Sequence, residues 1–194
     1  MHGYALCASC AHRAGRPERF DAFGVRAAAF GPYEGALRRA VLAMKRGRRD
    51  VATALGTALA DAFAADLPRD AVIVPVPTSA ARSAARGFDQ GVLLAERLGS
   101  AAALPVACAL RERPDGTQQG RTRSGRLAPR ERFACARIVA GARTVLVDDV
   151  VTTGATVRDC ARALGAAGAR VDSALVVARV RAGRSVRGGE VLRS

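Results

Sequence analysis

The chain of 194 residues contains no tryptophan, and only two tyrosines and six phenylalanines. Side chains that stack on unpaired bases are therefore scarce, which argues against a dedicated single-strand platform. Histidine is nearly absent too, with His2 and His12 both near the start. The core that follows has no imidazole to activate a nucleophile, which argues against Ser-His-acid and Cys-His catalysis. No run of apolar residues approaches the length of a membrane span, so no membrane insertion is expected. The first residues include cysteines and a histidine but no apolar signal-peptide core, and a cytoplasmic location is the default expectation. Lysine occurs once, at Lys45, against thirty arginines.

The formal net charge is +14, and 49% of the residues are hydrophobic. The apolar share is enough for a sizeable core, and the length suits one domain with a small appendage. The charge favours polyanions such as nucleic acid, nucleotides or pyrophosphate-bearing metabolites. A solvated basic surface accounts for it equally well, and a GC-rich coding preference fits the use of arginine over lysine.

The most informative stretch is Val145-Leu146-Val147-Asp148-Asp149-Val150-Val151-Thr152-Thr153-Gly154-Ala155-Thr156. An apolar run predicts a buried strand; two carboxylates follow, then a threonine-glycine turn, then Val157, Ala161 and Leu164 at helical spacing. A helix N-terminus with free N–H groups suits a phosphate, glycine permits close approach, and threonine hydroxyls add donors. Paired acids before such a loop make sense if the phosphate carries a sugar with hydroxyls. The alternative is an ordinary buried strand with a capped helix.

Elsewhere, Cys7 and Cys10 form one C-x-x-C pair, half of a structural zinc site. His2 or His12 could complete it, and a disulfide or free thiols are the other readings. Gly31-Pro32-Tyr33 marks a boundary. Ala36, Leu37, Ala40, Val41 and Met44 predict a helix that stops near Gly47; a second helix begins at Asp50 as N-cap and ends before Pro68. Lys45, Arg46, Arg48 and Arg49 read first as a solvated cluster at a helix end and second as ligand contacts. Ala71–Val74 predicts a buried parallel strand ended by Pro75-Val76-Pro77, with Thr78 and Ser79 in a polar turn. Arg82 and Arg86 suit phosphate oxygens, and cations at a helix start would favour an anionic ligand. Arg86-Gly87-Phe88-Asp89-Gln90 opens a helix with Val92, Leu93 and Leu98 buried. Pro105–Leu110 predicts another strand, and residues 111–132 form a long polar, arginine-rich segment, functional or disordered. Val171–Val180 supplies a last strand, followed by a frayed basic tail. Alternating helices and strands imply an α/β fold, a parallel sheet with helices on both faces.

The Val145–Thr156 stretch resembles the phosphoribosyl-pyrophosphate signature of type I phosphoribosyltransferases. The RGFDQ run, the helix ending in Lys45, the Arg113, Gln119, Arg132-Phe133 pattern and the Cys7/Cys10 pair resemble the ComF family, a competence-linked branch of that class. Asp89 stands where Asn is more common, and the usual Asn after the hood arginine is not evident. The resemblance covers about residues 30–180 and implies three segments: a partial, truncated zinc-ribbon-like piece (1–29), a phosphoribosyltransferase-like domain (30–180) and a basic flexible tail (181–194). It implies that Asp148 and Asp149 hold ribose hydroxyls while Val151, Thr152, Thr153, Gly154, Ala155 and Thr156 cradle the 5'-phosphate. Pro77, Thr78, Ser79, Arg82 and Arg86 would form the pyrophosphate loop, and Arg111, Arg113, Gln119 and Arg132 a flexible hood. Mg2+ would accompany phosphoribosyl pyrophosphate or a nucleotide, and Zn2+ would belong to Cys7 and Cys10. The family context offers a second reading, a non-catalytic competence protein acting on single-stranded DNA or with a helicase.

Overall fold

The computed structural model describes residues 16–113, 132–135 and 139–181. The described residues open with a hairpin of β1 (Glu18–Ala22) and β2 (Val25–Pro32), joined by a two-residue turn. Phe23 and Gly24 both have positive φ, 55° and 82°, as hairpin turns that match strand twist require. Helices α1 (Gly35–Lys45) and α2 (Arg49–Phe63) follow, then β3 (Ala71–Pro75), a short α3 (Ala80–Arg86) and α4 (Gln90–Ala102). A small ribbon, β4 (Leu110–Glu112) with β5 (Phe133–Cys135), precedes β6 (Arg143–Val151), α5 (Ala155–Ala166) and β7 (Arg170–Arg179). The main sheet has the order β1-β2-β7-β6-β3, antiparallel only between β1 and β2.

Side chains alternate across a strand, and β6 uses both faces. Val145 and Val147 point to the layer of α1, α2 and α4, where Leu37, Val41, Leu55, Leu59, Leu94 and Leu98 are all but sealed. Leu146 points the other way, toward Val157, Cys160 and Leu164 of α5. The helices thus cover both faces of a mostly parallel sheet, as the apolar runs in β3, β6 and β7 require. The ribbon docks on the α5 side through Phe133, 2% exposed. Burying that ring contributes roughly 2–3 kcal/mol to holding the ribbon there.

Several expectations are corrected. Residue 30 is no boundary: it lies inside β2, which pairs with β7, so residues 18–29 belong to the main sheet. The hairpin escaped notice because β1 is a short edge strand with polar Glu18, Arg19 and Asp21. Asp50 is not the N-cap of α2 but lies in its first turn, paired with Arg48 at 2.6 Å. Pro105–Leu110 is not one strand. Val106 makes a single parallel bridge to Ile73, and the chain then turns away so that Leu110 pairs with Cys135 in the ribbon. Pro105 has no N–H for a ladder, and Ala109 donates its N–H locally to Ala107 O. Val92 is half-buried, whereas Leu93 and Leu98 are buried as expected. Cys7, Cys10, Gln119 and residues 182–194 lie outside the described residues.

Candidate functional site

The carboxyl end of β6 carries Asp148 and Asp149, and the strand's alternation sends them to opposite faces of the sheet. Asp149, 7% exposed, faces the α1 and α4 layer. Its Oδ2 lies 3.2 Å from Lys45 Nζ and accepts from Gln90 Nε2 at 3.4 Å. Asp148 faces the α5 side, and its Oδ1 accepts the N–H of Asp149 at 2.7 Å. Burial, followed by the charge of Asp149, pushes the Asp148 carboxyl up to about 7, against the opposing pull of that hydrogen bond and of Lys45 and Arg132. The same apolar surroundings push the Cys160 thiol up strongly, so it is an inert core residue.

The loop from Val151 to Thr156 leads from this edge into α5. Gly154 caps the helix in the left-handed region, with φ of 87°. A Cβ there would also lie 3.2 Å from Ala22 Cβ and 3.3 Å from the Phe23 ring, so only glycine fits. Thr152 and Thr153 are exposed, and Thr153 Oγ1 accepts from Ala155 N at 3.4 Å. The first turn of α5 contains no acid, so its positive end is not neutralised from within the helix. A helix start of this kind presents free N–H groups and an unneutralised dipole end.

The end of β3 comes alongside. Val76 N donates to Val147 O at 2.8 Å, which brings Pro77, Thr78 and Ser79 next to the acidic edge. Beyond them the RGFDQ run opens α4 at Gln90 as expected, but its arginine belongs to the short helix before it. Gly87, with φ of 77°, ends α3, and Asp89 caps α4 by accepting from Val92 N at 3.1 Å. Arg86 is therefore at a helix C-terminus, where a cation is favourable, and the expected conflict with the helix dipole does not exist for it. Its Nη1 donates to Gln90 Oε1 at 2.6 Å and its Nε to the Lys45 carbonyl at 3.0 Å. Arg86 thus straps the end of α1 to the start of α4. The solvated-cluster reading of Lys45 is likewise corrected, although Arg46 and Arg49 are exposed.

A second chain of contacts runs along the α5 side. Arg82 Nε donates to Ser79 Oγ at 2.8 Å, and Arg82 Nη2 lies 3.6 Å from Glu112 Oε2. Arg132 donates to Glu112 Oε1 through Nε and Nη2, each at 3.1 Å, and through Nη1 to Thr156 Oγ1 at 3.3 Å. Glu112 thereby ties the predicted pyrophosphate loop to the base of the predicted hood and to the phosphate loop. Arg111 and Arg113 are exposed and, with Arg132 and Arg162, border a cavity of about 530 Å3 between the ribbon and α5. Sequence reasoning missed Glu112 and Gln90 as site residues. The acid between Arg111 and Arg113 was the signal for the first, and the glutamine closing the RGFDQ run for the second. Among the described residues no three potential metal ligands cluster, and no helix is long and apolar enough to cross a membrane.

Loops gathered outside the carboxyl ends of parallel strands, with helices on both faces, define an α/β ligand-binding protein. The family is also shown. The model of the phosphoribosyl transferase domain matches residues 57–190, more than half of the chain, and the chain belongs to that family. Its mostly parallel α/β sheet is the type I phosphoribosyltransferase fold. Over 34 residues the chain is 65% identical to an orotate phosphoribosyltransferase of Nocardioides sp. (strain ATCC BAA-499 / JS614), a segment of 18% of this chain and 19% of that relative. A structure of Leishmania donovani UMP synthase aligns with 91% of this chain and 32% of its own, at 17% identity and a TM-score of 0.45.

Proposed function

We propose that the chain binds phosphoribosyl pyrophosphate or a nucleoside 5'-phosphate at the carboxyl end of β6 and transfers the phosphoribosyl group. The observation that carries this reading is one continuous edge, Asp148 to Thr156, joining two carboxylates to an acid-free helix start capped by a left-handed glycine. Asp148 and Asp149 accept hydrogen bonds from the ribose hydroxyls, and the loop N–H groups and threonine hydroxyls hold the 5'-phosphate. In transfer, the bond from the sugar C1 to the pyrophosphate oxygen breaks while C1 bonds to the acceptor, through an oxocarbenium-like state. Arg82 and the arginines of the ribbon answer the charge on the departing pyrophosphate. The relative's name makes orotate the first acceptor to test.

The residues fit Mg2+. Two carboxylates, with no third potential ligand clustered beside them among the described residues, suit an ion bound largely through water and phosphate oxygens. Asp148, raised to about 7 by burial beside Asp149, is a group that a nearby cation would relieve. When bound, Mg2+ supplies charge neutralisation to the pyrophosphate. Within the family we assign the chain to the ComF-like branch. What supports this is that Lys45, Arg86 and Gln90, which come from segments carrying that resemblance, form one contact network with Asp149. Zn2+ at Cys7 and Cys10 belongs to the same reading.

A second reading, a competence protein acting on single-stranded DNA or with a helicase, draws on the arginine-bordered cavity beside α5. The deciding experiment is a thermal-shift panel with phosphoribosyl pyrophosphate, ribose 5-phosphate and AMP, with and without Mg2+, alongside pyrophosphate release with orotate. Stabilisation by the Mg2+–phosphoribosyl pyrophosphate pair is the expected result. DNA binding with a steep salt slope and no response to any sugar phosphate would replace it with the second reading.

A further inference from the structure

We propose that Lys45 is a ligand-binding residue of this site: its ammonium group meets an anionic oxygen of the bound sugar phosphate from the α1 side of the sheet. The inference rests on the sugar-phosphate reading above and adds a residue outside the family match, which begins at residue 57.

Four observations carry it. The Lys45 ammonium is 3.2 Å from Asp149 Oδ2, while its side chain keeps 33% exposure, so it is anchored on one side and open on another. Its backbone is held from a distance: Arg86 Nε donates to the Lys45 carbonyl, and the same guanidinium grips Gln90, which in turn donates to Asp149. This closed ring orients acid and base together, an arrangement that a solvated helix end does not need. Asp149 is 7% exposed and Gln90 likewise, so the ring reaches into the protein rather than lying on its surface. Finally, Lys45 enters from the face opposite α5. A ligand lying across the end of β6 is thus bounded by the phosphate loop on one face and by a cation on the other.

The chain contains one lysine, so amine acylation reads this residue alone once the terminal amine is separated by peptide mapping. The full chain is treated with an acetylating reagent, and the rate at Lys45 is followed by mass spectrometry. Phosphoribosyl pyrophosphate with Mg2+ at saturation, verified by thermal shift, is expected to slow labelling by about tenfold or more. Lys45→Met is expected to weaken binding of this probe about 10- to 100-fold, the range for a lost charge-assisted hydrogen bond. Lys45→Arg retains most of the affinity, and Arg46→Met, one residue on and exposed, changes it by less than about twofold. Arg86→Met releases the strap and raises the labelling rate of the free protein. If the probe binds but Lys45 labels at the same rate and Lys45→Met binds equally well, this inference fails and the site reading stands. If no sugar phosphate shifts the wild type, both fall.

Discussion

The two ends of the sheet hold acids in opposite electrostatic conditions. At the amino ends of the parallel strands, Asp172 lies among Arg143 at 2.9 Å, Arg26 at 3.2 Å and Arg170 at 3.5 Å. Its side chain is 8% exposed, and the hydrogen bond from Arg143, more than the charges around it, holds its carboxyl below the usual range. Asp70 is a second anion on Arg143. At the carboxyl ends, Asp148 and Asp149 have Lys45 as the single direct ion-pair partner among the described residues, on Asp149. Asp148 is raised instead of lowered. One end surrounds its acid with arginines and serves to hold strands together, with Arg143 Nε alone left without an acceptor among its guanidinium nitrogens. The other sets two adjacent carboxylates against one lysine among the described residues, the kind of imbalance that perturbs a carboxyl. In a chain with thirty arginines, that imbalance is a property of placement and not of supply.

The largest expected effect tests the carboxyl end. Asp148→Asn with Asp149→Asn should cut affinity for phosphoribosyl pyrophosphate at least about 100-fold, since two ligand acceptors are lost. The free protein should change little in stability, because relief of the like-charge pair offsets loss of the Lys45–Asp149 ion pair. A free protein that melts far earlier would make both ends structural and erase the contrast. Next comes the amino end. Asp172→Asn should cost about 1–2 kcal/mol, roughly 3–6 °C in Tm for a chain of this length, because its arginine partners are partly exposed. Ligand affinity should change by less than about twofold. A larger loss of binding would mean that the two ends are coupled.

The smallest effect is in the pH dependence. The lowered Asp172 contributes stability that is present above the unfolded carboxylate value of about 3.9 and is lost as pH falls through its folded value. The raised Asp148 does the opposite: its penalty is absent below about 4 and grows as pH rises toward about 7. Melting scans of the free protein between pH 4 and pH 8 should therefore fall less steeply for Asp148→Asn than for wild type. Identical slopes would mean that Asp148 does not titrate there. Ligand stabilisation in the wild type should strengthen as pH rises through the same range, because the ionised carboxyl is the better acceptor.

The features legible from sequence were those written contiguously. Val145–Val151 announced a buried strand, and Thr152–Thr156 a turn into a helix, because strand period, acid pair and glycine occur side by side. Helix α1 was legible from its apolar spacing. The partner of Lys45 was not, because Asp149 is more than a hundred residues away and only the sheet brings them together. Arg86 was placed at a helix start because the short α3 has no apolar period to announce it; Arg86 instead closes α3 before the left-handed Gly87, which reverses the sign of the local dipole. The Pro105–Leu110 strand failed because periodicity cannot say whether a segment extends one sheet or leaves to form another.

The pairing of β2 with β7 sets the order in which this molecule can be completed. Ala27 takes its parallel partner at Ala174, so the opening hairpin cannot join the sheet until nearly the whole described chain has left the ribosome. Loop closure over such a separation is a slow step. The hairpin tip, through Ala22 and Phe23, also backs Gly154. A nascent or truncated chain that lacks its last strand would therefore leave the hairpin unjoined and the Gly154 turn without its backing. Binding competence should thus be a late event in biosynthesis, and pulse-labelled chains stalled before residue 170 are where its absence would first be seen.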